Sequence, residues 1–297
     1  MTKKKYKILI CDDEKAIRAA LEAILAPEGY EIIITVSGAE AVESYKKEYP
    51  DLIILDVSMP GMSGLEVLDR VKPYFGDKYV PVIFLTASIK IDDKLKALHS
   101  GAVDYLLKPV SPEELIARIQ NFIEIKEKHD TLKEEATFDW MTGALNKAYF
   151  LRKANEEIAK SLRNKIPLTF ILTDIDRFKK VNDTLGHMAG DRAIRELASR
   201  LKKLTRKIDL IGRFGGDEFM LMLSHKNARE AKVVAERLKK EMRKPVIFEG
   251  KKIQLTLSIG VIEIGSSDIK DAEGALALAD KALYEAKSEG GDRYIVK

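Results

Sequence analysis

Short, nearly unbroken apolar runs alternate with longer stretches in which apolar residues return every three or four positions, up to about Lys108. The runs, residues 7–11, 31–36, 52–55, 80–85 and 103–107, are rich in Ile, Val and Leu. Strands buried on both faces require that composition. Residues 14–26, 39–48, 65–74 and 92–100 carry the helical period, and Gly, Pro or Ser marks most junctions. Repeated strand–helix units predict a parallel, doubly wound α/β sheet.

A helix start follows at Ser111-Pro112-Glu113-Glu114. Ser111 suits an N-cap, Pro112 the first turn, and Glu114 the far corner of a capping box. No breaker occurs until about Gly143. Leu115, Ile119, Phe122 and Ile123 form an apolar stripe, after which the helix becomes highly charged through residues 124–130. It reads either as a long solvated helix or as a coiled coil that pairs subunits, because the heptad pattern is poor at its centre. Beyond it, strands are predicted at 168–173, 218–223 and 255–264, and helices at 147–162, 190–204, 228–243 and 272–287. That is a mixed α/β pattern with an antiparallel hairpin around Gly215-Gly216. It does not repeat the first half.

The chain has 297 residues, enough for two domains with their own cores. Hydrophobic residues make up 45% and charged residues 33%, and the net charge is +4. Basic and acidic positions are interspersed, which reads as solvated surface and not as a nucleic-acid face. The single cysteine, Cys11, excludes an intrachain disulfide and fits a reducing compartment. The basic start is followed by an apolar run that stops at Asp12-Asp13-Glu14, too short for a secretory signal, and no apolar stretch is long enough to span a bilayer. A cytoplasmic protein with no membrane partner is expected.

In an open parallel sheet, ligands sit beyond the carboxyl ends of the strands. Here the first strand leads into Asp12-Asp13, the third into Asp56 and the fourth into Thr86, and Lys108 follows the fifth. Clustered carboxylates repel unless a cation lies among them, and Mg²⁺ suits a few oxygens plus a phosphate. One carboxylate can then act as nucleophile toward a phosphoryl group, with Lys108 stabilising the developing charge. A loop origin accounts for one such Asp, but poorly for three at successive strand ends.

The segments Ile10-Cys11-Asp12-Asp13-Glu14, Leu55-Asp56-Val57-Ser58-Met59-Pro60-Gly61-Met62-Ser63-Gly64, Leu85-Thr86-Ala87 and Asp104-Tyr105-Leu106-Leu107-Lys108-Pro109 resemble the receiver domain of bacterial two-component response regulators. The resemblance covers about residues 1–124 and implies a flavodoxin-like fold. It implies that Asp56 accepts a phosphoryl group from a histidine kinase. Asp13, Asp56 and the carbonyl of Ser58 become Mg²⁺ ligands, with Asp12 supporting. Thr86 would bond the phosphoryl group, Tyr105 would reorient with it, and Lys108-Pro109 would form a cis-proline turn.

In the second half, Asp174 and Asp176 stand two apart after an apolar run, so on an extended chain they face one site. A second acidic cluster follows Gly215-Gly216, a pair that suits a tight turn and lets a triphosphate approach the backbone. Asp174 beside Asp217 would make a two-carboxylate metal site able to activate a hydroxyl for attack on phosphorus. An ordinary Asp/Gly hairpin is the plain alternative. Asn182 and Asp191 have the amide and carboxylate chemistry that reads the pairing edge of guanine, while His187 alone reads as a structural histidine.

The stretch from Asp174 to Asp191 and the unbroken Gly215-Gly216-Asp217-Glu218-Phe219 resemble the GGDEF domain of diguanylate cyclases, a nucleotide-cyclase-like fold spanning residues 138–297 here. The opening Asp139-Trp140-Met141-Thr142-Gly143-Ala144-Leu145-Asn146-Lys147 is similar to that family's entry segment. The resemblance implies condensation of two GTP into cyclic di-GMP with release of pyrophosphate. Asp174, the carbonyl of Ile175 and Asp217 would hold Mg²⁺. Asp217 would activate the 3′-hydroxyl, and Glu218 would support a second metal. Asn182 and Asp191 would read guanine with His187 nearby, Phe178 and Lys179 would contact phosphates, and Lys287 would neutralise the triphosphate. The chain departs from the family at Gly291, where many members carry an arginine; one phosphate contact is then either missing or supplied by Arg293, with an expected effect on affinity and not on the presence of activity.

The product is two-fold symmetric, so two GTP-loaded sites must face each other and a homodimer is expected. A linker helix at 112–137, continuing the last receiver helix, would carry the phosphorylation signal. Arg206-Lys207-Ile208-Asp209 resembles the inhibitory product site of the family, with Arg237 a secondary arginine. Two other readings remain: a GTP- or cyclic di-GMP-binding sensor module with little catalysis, and a receiver-driven transcription factor. The second half lacks a helix-turn-helix pattern with a basic face, which weighs against the last.

Overall fold

The strands of the first half are short and apolar on both sides, and they form one parallel sheet in the order β2-β1-β3-β4-β5. They are β1 (Lys7–Cys11), β2 (Glu31–Thr35), β3 (Leu52–Asp56), β4 (Val82–Thr86) and β5 (Asp104–Leu107). The computed structural model describes residues 5–87, 103–265 and 269–297. The helix expected at 92–100 lies outside the described residues. The chain divides into two units, 1–133 and 134–297.

Alternation along each strand builds two cores in the first unit. Leu9, Cys11, Ile53, Leu55 and Phe84 pack with α2 (Gly38–Glu48) and α3 (Gly64–Val71). Ile8, Ile10, Leu52, Ile54, Ile83 and Leu85 pack with α1 (Lys15–Leu25) and with Leu115, Ile119, Phe122 and Ile123 of α4 (Pro112–Thr137). Ser63 and Glu66 form a reciprocal capping box that fixes the start of α3. Burial pushes the Cys11 thiol up to about 11, which makes it an inert core residue.

At the start of α4, Ser111 Oγ accepts from Glu114 N at 3.4 Å, but the carboxylate that returns to Ser111 is that of Glu113, at 2.7 Å. Glu114 pairs with Arg118 instead. The charged stretch of this helix is not wholly solvated. Lys126 is buried, with its ammonium 3.1 Å from Asp130 and 3.2 Å from the carbonyl of Tyr79. No helix among the described residues is long and apolar enough to cross a membrane.

The second unit holds a mixed sheet in the order β12-β11-β6-β8-β7. Its centre is β6 (Leu168–Ile175), antiparallel to both β11 (Leu257–Ile264) and β8 (Glu218–Ser224). The expected hairpin is β7 (Leu210–Gly215) with β8, joined at Gly215-Gly216. One face carries α5 (Lys147–Asn164) and α9 (Ala272–Ser288), the other α7 (His187–Leu204) and α8 (Ala228–Met242). Strands β9 (Val246–Phe248), β10 (Lys251–Ile253) and β12 (Tyr294–Val296), and helix α6 (Phe178–Leu185), were not legible in the pattern; each is short or flanked by polar residues. Helix α7 begins at His187, a turn earlier than the pattern suggested. Gly260 lets α9 lie directly on β11, because a Cβ there would sit 2.2 Å from the carbonyl of Ala279. That close approach places Lys287, in the last turn of α9, over the end of β6.

Candidate functional site

Each unit has a carboxylate site where strands end. In the first unit, Asp12, Asp13 and Asp56 each bring a carboxylate oxygen within 4.8 Å of the others. Lys108 Nζ lies 2.7 Å from Asp12 Oδ2 and 3.2 Å from Asp56 Oδ1. Glu14, which sequence reasoning did not single out, stands 3.8 Å from the same ammonium. Burial raises the Asp56 carboxyl above the usual range; Lys108 opposes the rise and Asp12 adds to it. Burial alone would lower Lys108, but Asp12 and Asp56 outweigh it and leave the ammonium raised.

Ser58 follows on the loop after β3, and its backbone hydrogen bond to Asp56 favours the ionised form. Thr86 is buried at the end of β4, where its carbonyl accepts from Lys108 N at 2.8 Å. Tyr105 pairs with Phe84 across β4 and β5 and is partly buried against the core. The Lys108-Pro109 peptide is cis.

In the second unit, a cavity of about 570 Å³ is lined by Asp174, Ile175, Asp217, Phe178, Lys179, Asn182 and Lys287, all chosen from sequence, and by Asp176, Arg177, Gly290 and Gly291. Lys287 Nζ lies 2.7 Å from Asp174 Oδ2. Burial raises Asp174, and Lys287 holds it back. Burial, followed by the charge of Asp174, pushes Asp217 up to about 6. Burial and Asp174 also raise Glu218. These are carboxylates short of positive charge, as a cation site requires. Asn182 Oδ1 is buried without a hydrogen-bond partner and packs close to Gly190 of α7.

Not every expected residue lines this cavity. Glu218 opens β8 beside it, and Gly215 and Gly216 form the turn before that strand. His187 is exposed and Asp191 partly buried, both in the first turns of α7. Asp176 does border the cavity with Asp174, as extended spacing suggested, but its oxygens are committed. They accept from Thr256 Oγ1 at 2.7 Å, Ser258 Oγ at 2.6 Å and Asp292 N at 2.8 Å. Arg293 does not reach the cavity; its guanidinium is 2.5 Å from Glu289.

The turn carries a clamp that sequence reasoning missed. Arg213 donates to the carbonyl of Gly216 and to Asp139, whose Oδ1 also accepts from Thr142 N and Oγ1. An arginine just ahead of two glycines was the available signal. Farther along, Asp209 is buried, and its carboxylate accepts from Arg206 N at 2.8 Å and Ser224 N at 3.1 Å. The side chains of Arg206 and Arg237 are exposed.

Residues 8–120 match the response regulator receiver domain, and residues 136–293 match the family described as diguanylate cyclase, GGDEF domain. The chain is 35% identical to diguanylate cyclase A of Treponema denticola, over 89% of this chain and 72% of that protein. It is 30% identical to the response regulator PleD of Caulobacter vibrioides, over 98% of this chain and 66% of PleD. Among solved structures, diguanylate cyclase SiaD from Pseudomonas aeruginosa, in complex with its activator SiaC, is 33% identical with a TM-score of 0.52, over 62% of this chain and 71% of that one.

Proposed function

The chain belongs to the GGDEF family of diguanylate cyclases and carries a response regulator receiver domain, and from that premise we propose that phosphorylation of Asp56 controls condensation of two GTP into cyclic di-GMP. The observation that carries the catalytic part is the single cavity lined by Asp174, Asp217, Lys287 and Asn182.

The 3′-hydroxyl oxygen of one GTP attacks the α-phosphorus of the other, a P–O bond forms, and the bond to the β-phosphate breaks with pyrophosphate leaving. Repeating the step in the opposite sense closes the ring. Asp217 would take the hydroxyl proton or hold the ion that activates the hydroxyl. Lys179 and Lys287 face the phosphates, while Asn182 and Asp191, with His187 nearby, address guanine. The donor set fits Mg²⁺: Asp174, the Ile175 carbonyl, Asp217 and Glu218 would hold it here. In the receiver, Asp13, Asp56 and the Ser58 carbonyl would do so, with Asp12 beside them. When bound, the ion neutralises phosphate charge and lowers the pKa of a coordinated hydroxyl.

In the receiver, Asp56 is the nucleophile toward a kinase phosphohistidine, and Lys108 stabilises the transferred group. Thr86 and Tyr105 report its arrival. Residues 1–124 act as the receiver, 112–137 as the connecting helix and 138–297 as the cyclase. Two loaded cavities must face each other, so the active form is a homodimer. Cytoplasmic GTP supplies the substrate, and cyclic di-GMP inhibits through Arg206, Asp209 and Arg237.

The test is incubation with GTP and Mg²⁺, with and without a small acyl-phosphate donor, followed by product identification. Cyclic di-GMP is expected, with a rate that rises on phosphorylation and an Asp56→Asn variant that does not respond. GTP binding without any cyclic product would replace the cyclase with a sensor module.

A further inference from the structure

A second cavity of about 450 Å³ adjoins the first, sharing Asp176, Arg177 and Gly290 with it. Its other walls are Lys180, Val181, Thr184 and Leu185 from α6, and Lys252, Ile253, Gln254 and Thr256 from β10 and the segment after it. Arg177, Lys180 and Lys252 make no ion pair or side-chain hydrogen bond among the described residues. The only carboxylate in the lining is Asp176, and its oxygens already accept from Thr256, Ser258 and Asp292. Three cations around one concavity, with no carboxylate available to neutralise them, form an anion site.

Resting on the reading of the first cavity as the GTP site, we propose that the second binds a diphosphate anion and receives the pyrophosphate released by the reaction. The shared wall carries the argument. Arg177 borders both cavities, and in the first it shares the lining with Lys179, Lys287 and Gly290. Pyrophosphate released among these cations meets Arg177, which belongs to both linings, and passes into the adjoining concavity. Lys180 and Lys252 offer further charged donors in the second cavity, and Thr184 adds a hydroxyl. A diphosphate brings two phosphate groups and more charge to the three cations than a single phosphate does, so the site favours pyrophosphate over orthophosphate.

Calorimetric titration of the full chain separates the sources of such an anion, using Mg²⁺-pyrophosphate, inorganic phosphate and GDP as probes. Pyrophosphate is expected to bind more tightly than orthophosphate. A Lys180→Ala/Lys252→Ala double variant should weaken it about ten-fold, the loss typical of charged hydrogen bonds removed from an open site. GDP affinity should change much less. Equal pyrophosphate affinity in wild type and double variant would overturn the inference, as would a loss for GDP as large as that for pyrophosphate. Because no turnover is needed, the result is independent of product formation. A chain that makes cyclic di-GMP but whose pyrophosphate binding ignores Lys180 and Lys252 sinks only this inference.

Discussion

Arg213 Nη1 lies 3.0 Å from Asp139 Oδ2, while its Nε and Nη2 donate to the carbonyl of Gly216 at 2.9 and 2.7 Å. One guanidinium thus ties the segment just past α4 to the turn that presents Asp217. Only the planar fork of arginine spans both partners. Arg213→Ala should lower the cyclase rate at saturating GTP by about ten-fold or more, consistent with ~1.5–3 kcal/mol for charged hydrogen bonds. Arg213→Lys should restore little. Full recovery by lysine in initial-rate assays would show that charge alone matters at this position.

Asp217 gives a pH-dependent stability in metal-free buffer. Its folded value of about 6 exceeds the ordinary 3.8, so folding favours the protonated form. That contribution is complete below the ordinary value and is lost as pH rises through about 6. Asp217→Asn should therefore melt higher than wild type near neutral pH, by about 1–2 kcal/mol after allowance for solvent screening. The gap should close in acid, and Mg²⁺ should stabilise wild type more than the variant. Calorimetric melts across the pH range with a chelator present measure it, and a gap that persists in acid would assign the gain to something other than this charge.

The receiver sheet and its acidic edge were legible because buried parallel strands are unbroken apolar runs, and Asp12, Asp13 and Asp56 stand at their ends. The central strands of the second unit are antiparallel, but they too are buried on both faces and were legible as unbroken apolar runs, while its long helices show the helical period. Strands β9, β10 and β12 were not, since three residues are too few to show a period. Asp176 shows a different limit. Its spacing from Asp174 correctly placed it at the cavity, but spacing does not reveal that Thr256, Ser258 and Asp292 take up its oxygens. Likewise, Lys126 sits in a charged run that reads as solvent-facing, and only the packing of α4 on the receiver buries it.

Gly291 has a φ of +76°, and a Cβ there would meet Asp176 Oδ1 at 2.8 Å. The arginine common at this place in relatives would have to displace the carboxylate that joins β11 to the turn before β12. Gly291→Ala should cost about 1–3 kcal/mol through backbone strain and the lost Asp176 contacts. Gly291→Arg should lower GTP affinity instead of raising it. Denaturant unfolding and nucleotide titration give the two numbers, and a tighter-binding, equally stable Gly291→Arg chain would show that the turn yields readily.

Lys126 holds the receiver to the charged part of α4 through Asp130 at 3.1 Å, Asp51 at 3.8 Å and the Tyr79 carbonyl at 3.2 Å. Lys126→Ala leaves a part-buried carbonyl and a half-buried carboxylate without this donor, at a cost of about 1–3 kcal/mol. Lys126→Met keeps the stem packing and should recover only part of it. Hydrogen exchange over residues 120–133 should accelerate in both variants. Unchanged protection there would mean that the apolar stripe from Leu115 to Ile123 anchors the helix without help.

Asp209 and Arg206 separate two roles that the RxxD spacing merges. The Asp209 carboxylate is buried and accepts from two backbone N–H groups, Arg206 N and Ser224 N, so it shapes the turn before β7. The Arg206 side chain is exposed. Arg206→Ala should relieve inhibition by cyclic di-GMP while changing stability by no more than about 0.5 kcal/mol. Asp209→Ala should relieve it too, but with a stability loss of about 1–3 kcal/mol from the orphaned N–H groups. Arg237→Ala, on α8, should weaken inhibition without a stability cost. Inhibition curves and melts on the same samples decide the matter: an Arg206→Ala chain inhibited like wild type would place the product contact elsewhere and leave Asp209 a turn residue alone.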